Sequence, residues 1–206
     1  MNLFKFMSKN TFIEYLNLHL DGKTYVTDWQ SVNDPMEGFF RYKLSDDDYA
    51  NLVVGQKTTY KLSCFTKTFN NYLMWSHYAD KHQGVCLEYD VNPASLDQRY
   101  ILECVTYSNQ LPQMDTALPM EEQAKIFLLT KTYHWRYEKE VRLLFQSPRN
   151  DTIPFCKLKS ITFGIRFDDE PSTNDIITDI STMPDKPKMY KAMINYDKAV
   201  INRTRI

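Results

Sequence analysis

Strand-forming runs outnumber helical ones along this chain, and the two do not alternate. A doubly wound parallel sheet needs a helix after each strand, so that architecture is disfavoured. The pattern predicts an α+β protein with mixed, largely antiparallel sheets and flanking helices. Strands are expected at 3–6, 24–27, 61–66, 84–89, 100–107, 140–145, 160–166, 189–195 and 199–204. In the fourth, Val85, Leu87 and Tyr89 alternate with Cys86 and Glu88. The last two read as an antiparallel pair turned at Tyr196-Asp197.

Helices are expected where apolar residues recur at helical spacing behind a capping residue. Ser8 or Asn10 opens one that carries Phe12, Ile13, Leu16 and Leu20. Ser45, Asp46 or Asp47 caps a second through about Val53, and Asn70 or Asn71 a third through Ala79. Pro119, tolerated in a first turn, starts a fourth through about Thr132. A fifth is expected over 171–181. Trp29 to Phe40 reads as a loop, because Asn33-Asp34-Pro35 is a strong turn signal.

At 206 residues and 43% hydrophobic, the chain can bury a substantial core, and without repeats or a linker it reads as a single domain over 1–206. Only 5 glycines are present, and no Gly-rich phosphate loop is among them. A net charge of −1 argues against general affinity for nucleic acid. Nothing resembling a secretory leader or an apolar span of transmembrane length is seen, so no membrane partner is expected. Cys64, Cys86, Cys104 and Cys156 are widely spaced within strand-like runs. They read as buried free thiols in a reducing cytoplasm.

Three segments concentrate reactive side chains. In the turn Asn33-Asp34-Pro35-Met36-Glu37, Asp34 and Glu37 can act as acids, bases or ligands; the plainer reading is a capped, solvated turn. The stretch Trp75-Ser76-His77-Tyr78 precedes His82. His77 and His82 are five apart and do not share a helix face as a metal-binding pair would. Trp75 and Tyr78 can share one face, as core residues or as a stacking platform. His77 has polar neighbours to orient it. In the third segment, if the chain is extended, Glu138, Glu140 and Arg142 project to one side, with Lys139 opposite. They form either a catalytic cleft wall or an ordinary surface ion pair. A metal-dependent nuclease would draw on Asp34, Glu138 and Lys139, but the opposed Lys139 weakens that reading.

Several runs together resemble one large bacterial family, a domain of unknown function numbered twenty-nine seventy-one. They are Leu3-Phe4-Lys5-Phe6, Asn33-Asp34-Pro35-x-Glu37, Ser63-Cys64-Phe65-Thr66, the Met74 to Glu88 run, and Trp135-x-Tyr137-Glu138-Lys139-Glu140-x-Arg142. That family carries no settled activity. The layout is remotely similar to ADP-ribosyltransferase-like folds, although Lys5 stands where Arg or His is usual. This second resemblance implies an NAD-utilising transferase or glycohydrolase, in a toxin or phage-defence setting, with NAD as substrate and no metal or prosthetic group. Glu140 would stabilise the oxocarbenium ion as nicotinamide leaves, with Glu138 orienting the acceptor. His77 would act beside them or hold phosphate or ribose. Trp75 or Tyr78 would stack on nicotinamide. Lys5 and Arg142 would hold phosphate or ribose, and Ser63, Thr66 and Asn33 would complete the nucleotide site. The acceptor, nucleic acid or protein, and the oligomeric state stay open. The alternative is a non-catalytic module that binds a small nucleotide or a partner.

Overall fold

The structure, a computed structural model, describes residues 1–149, 151–167 and 172–206. Its strands are β1 (Asn2–Met7), β2 (Lys23–Asp28), β3 (Tyr60–Thr66), β4 (Val85–Asp90), β5 (Ile101–Cys104), β6 (Thr106–Ser108), β7 (Thr130–Thr132), β8 (Glu140–Gln146), β9 (Asp151–Pro154), β10 (Leu158–Phe163), β11 (Lys188–Asn195) and β12 (Val200–Arg205). Its helices are α1 (Lys9–Leu20), α2 (Asp47–Thr58), α3 (Tyr72–Tyr78), α4 (Met120–Leu128) and α5 (Ser172–Thr182). The fold is α+β, with mixed and mostly antiparallel pairing. No helix among the described residues is long and apolar enough to cross a membrane.

Two compact units divide the chain. The first comprises Met1–Thr24, Phe65–Ala94 and Pro154–Ile206; the second comprises Tyr25–Cys64 and Ser95–Ile153.

In the first unit β12, β11, β10, β4 and β1 lie side by side. All these pairings are antiparallel except β10 with β11, which runs parallel. The alternation read along β4 predicts two different faces, but Val85 through Tyr89 are all buried. A central strand is covered on both sides, and its polar Glu88 survives there only through Lys159, Arg203 and Ser160, at 2.9, 2.8 and 2.7 Å. One face packs Phe4, Trp75, Ala79, Cys86, Ala192 and Ile201 into a core cluster. Helix α1 starts as expected: the Ser8 hydroxyl accepts the Thr11 N–H at 3.2 Å.

From α1, His19 is buried against the Tyr89 hydroxyl at 2.7 Å. Burial, with Lys5 nearby, lowers its imidazole from 6.5 to about 3. Native His19 is therefore neutral where the unfolded chain takes up a proton. The stability this contributes is complete above pH 6.5 and is lost as pH falls toward 3. Between about pH 7 and about pH 5 the wild type is expected to lose roughly 2 kcal/mol through this group. Urea melts of wild type and His19→Gln at both pH values test it; an equal acid loss in the variant contradicts it.

In the second unit β5 pairs with β8, β8 with β3, and β3 with β2, beside which β9 lies. β6 and β7 form a separate parallel pair. One core cluster gathers Tyr60, Leu62, Ala124, Leu128 and Leu144; another joins Ala50, Val53, Met114 and Phe127, on which Phe40 stacks at 4.3 Å.

Four expectations are corrected. α2 runs on to Thr58, because Gly55 is only a mild helix penalty and Lys57 finds a buried place. The strand expected over 100–107 breaks at Val105, whose N–H turns to the Glu140 carbonyl at 3.0 Å. The helix expected to reach Thr132 stops at Leu128; the β-branched Thr130 and Thr132 are extended in β7. Tyr133–Glu138 is a 3-10 helix, ended by Lys139 in the left-handed region at φ 47°, so Glu138 and Lys139 are not on a strand. The fifth helix is present, while its expected first residue, Pro171, lies outside the described residues. Of the thiols, Cys86 is buried but Cys104 is exposed.

Candidate functional site

The second unit buries an ion network. Arg142 on β8 is 0% exposed, Glu37 3%, Glu138 3%, Glu140 4% and Lys131 5%. The Arg142 guanidinium bridges two carboxylates. It meets Glu140 through Nε at 2.7 Å and Nη2 at 3.1 Å, and Glu37 through Nη2 at 2.8 Å and through Nη1. Nη1 also donates to the Leu128 carbonyl at the end of α4. Lys131 on β7 joins Glu138 at 2.6 Å and Glu140 at 3.1 Å. The left-handed turn at Lys139 lets Glu138 and Glu140 reach one ammonium although they share no strand.

The charges follow from that geometry. Burial alone would push the Glu140 carboxyl up, but Arg142 and Lys131 hold it down at about 2. Burial raises the Glu37 carboxyl and wins there, because Glu37 shares Arg142 with Glu140, whose charge opposes it. The difference is physical: Glu140 touches two cations and Glu37 one. Burial would lower Lys131, but Glu140 and Glu138 reverse that and raise it. The Glu140 N–H donates to the Tyr107 hydroxyl at 2.8 Å, and burial pushes that phenol up to about 12. Beside Glu37, Lys57 donates to the Gly38 carbonyl at 2.6 Å and lies over Trp29 at 4.2 Å and Phe40 at 5.1 Å. Burial lowers it to about 8.

Glu138, Glu140 and Arg142 are thus brought together, in a closed cluster. Asn33 is exposed on the turn that carries Glu37, and Ser63 is buried on β3. The expectation of a solvated Glu37 is corrected: Arg142, far along the chain, draws it inside. Asp34 is buried too; one carboxylate oxygen caps the Met36 N–H at 2.9 Å, and the other has no partner among the described residues. Lys131, Lys57 and Tyr107 were not legible as members. Only Glu37 carried a signal, through the Asn-Asp-Pro-x-Glu run.

The other candidates lie in the first unit. Trp75 is wholly buried, with its indole N–H given to the Phe69 carbonyl at 2.6 Å and Phe6 edge-on at 5.1 Å, a core position. Thr66 is buried at the end of β3, opposite Phe4. Lys5 is half-buried with its ammonium 4.9 Å from the Phe65 ring. Tyr78 is half-buried and His77 exposed in the last turn of α3.

His82 is the fixed histidine of this segment. Its Nε2 lies 3.0 Å from the Ser76 hydroxyl, which is also 3.1 Å from the Tyr72 carbonyl. If the hydroxyl donates to that carbonyl, it accepts from Nε2–H, leaving Nδ1 as a bare acceptor. Nδ1 is buried without a partner among the described residues. An unmet acceptor costs less here than an unmet N–H, so this tautomer is preferred. Ser76 is then not activated by a base. The backbone is strained: Asp80, Lys81 and His82 have φ of 45°, 52° and 74°. Among the described residues no three His, Cys, Asp or Glu side chains converge as metal ligands would.

Fold and site together define an α+β protein whose charged signature residues are folded into a buried ion network. The model of a family described as a protein of unknown function (DUF2971) matches residues 74–143. The match takes in both the Trp75 to Gly84 run and the Tyr137 to Arg142 run. No curated protein and no solved structure matches the chain.

Proposed function

We propose that this chain is a non-catalytic binding module, in which Glu138, Glu140 and Arg142 hold the second unit together. The observation that carries this reading is the Glu140 carboxylate. Both its oxygens are taken up by Arg142, one also by Lys131, and it is 4% exposed. An NAD-consuming enzyme of the ADP-ribosyltransferase-like kind needs that carboxylate free to meet a ribose hydroxyl as positive charge develops. Freeing Glu140 would break its buried pairs with both Arg142 and Lys131, which is costly.

The test is nicotinamide release from millimolar NAD by the whole wild-type chain. No release above a heat-denatured control is expected. Sustained release by wild type overturns the binding-module reading, whether or not any Glu140 variant folds.

A further inference from the structure

The turn between α3 and β4 holds three successive side-chain-bearing residues, Asp80, Lys81 and His82, in the left-handed region. Such a run persists only where other contacts hold it. Here they converge on His82. Its N–H donates to the Trp75 carbonyl at 3.2 Å, and its carbonyl accepts the Arg166 N–H at 3.0 Å. Just beyond, the Gly84 N–H donates to the Ala79 carbonyl at 2.7 Å, and the Gly84 carbonyl accepts the Gly164 N–H at 2.9 Å. The turn therefore ties α3 to the chain leaving β10.

The His82 side chain is 8% exposed, with the Tyr72 ring 4.8 Å away and the Trp75 ring nearly parallel at 6.4 Å. Nε2 is engaged by Ser76, and Nδ1 has no partner among the described residues. A bare acceptor can be buried at modest cost, but a proton on Nδ1 would bury an unmet N–H and a positive charge together. No carboxylate pairs with His82 among the described residues. From α3, Tyr72 and Ser76 bring no charge and His77 is exposed; Asp80 and Lys81 in the turn are exposed as well. Arg166, beyond β10, is a cation and opposes a second positive charge. Burial and then Arg166 hold the ring below its ordinary 6.5.

We propose that the turn over residues 80–84 is an acid-released latch, in which a proton taken up at His82 Nδ1 opens the turn and frees the end of α3 from the chain leaving β10. In the opened turn His82 is an ordinary solvated histidine. The closed turn is therefore fully favoured above pH 6.5 and loses that preference as pH falls below it. The inference goes beyond the binding-module reading and does not depend on it.

The experiment is hydrogen exchange of the whole chain at about pH 7.5 and about pH 5.5, read at the His82, Gly84, Gly164 and Arg166 amides and corrected for intrinsic rates. With the closed turn keeping His82 neutral, protection at these amides is expected to fall about tenfold between the two conditions. His82→Asn does not titrate and tolerates the left-handed region, so it is expected to show equal protection at both. His19→Gln removes the unit's other buried histidine and is expected to leave the fall in place. Unchanged protection in wild type overturns the proposal, as does a fall that persists in His82→Asn or vanishes in His19→Gln. The ring titration of wild-type His82 needs no variant to fold. A midpoint below 6.5 is expected, and one at or above it overturns the latch.

Discussion

Arg142→Ala is expected to destabilise the second unit by roughly 3–5 kcal/mol, the usual cost of leaving buried carboxylates without their cation. The loss is large because Arg142 is 0% exposed and serves Glu37, Glu140 and the Leu128 carbonyl at once. Removing it leaves Glu37 with no ion-pair partner in the network and Glu140 with Lys131 only. Replacing Glu37, Glu140 and Arg142 together with apolar residues of similar volume is expected to recover much of the loss, because the desolvation penalty disappears with the charges. Denaturant melts of the single and triple variants check both statements. A single variant within about 1 kcal/mol of wild type would show that the cluster is not closed in solution. Glu140→Gln removes the carboxylate that Arg142 and Lys131 share, so its activity must be read beside a melt.

Gly84→Ala and Gly164→Ala are expected to be the most damaging small substitutions in the first unit. A Cβ on Gly84 falls 2.2 Å from the Met7 carbonyl oxygen, and one on Gly164 falls 2.1 Å from the His82 carbonyl oxygen and 2.8 Å from that of Gly84. These neighbours are backbone atoms of paired strands and of the strained turn, and cannot rotate away. Overpacking costs typically about 1–3 kcal/mol and more where the backbone must move, well above the roughly 0.4–1 kcal/mol gained by stiffening the unfolded chain. Gly55→Ala is the internal comparison. It sits within α2 with nothing inside 4 Å of the added carbon, and is expected to stabilise by about 1 kcal/mol. Urea midpoints therefore move in opposite directions; a Gly84→Ala midpoint at or above wild type would contradict the close approach.

What could be read from the sequence was local. Short apolar-rich runs of strand length mark β1, β3, β4 and β8. Ser8 and Asn71 cap α1 and α3 because a short polar side chain can accept an N–H two or three residues on, at 3.2 and 2.9 Å here. The likeness to the DUF2971 family over residues 74–143 was equally legible, since it lies in the order of residues.

The site was legible only in part. Glu138, Glu140 and Arg142 stood out, but the same run is compatible with an exposed ion pair or a buried one. The choice was made by Glu37 and Lys131, which neither spacing nor periodicity connects to Arg142. Thr130–Thr132 could extend a helix or form a strand, and pairing with β6 decided it. His77 and His82 looked alike as residues; the turn beyond α3 buries one and leaves the other in solvent. The sequence by itself therefore determined most of the strands and helices and where Ser8 and Asn71 cap them, because those preferences act over a few residues. Only the tertiary structure decided which charges leave water, because burial is favourable only when a partner distant along the chain arrives to compensate it.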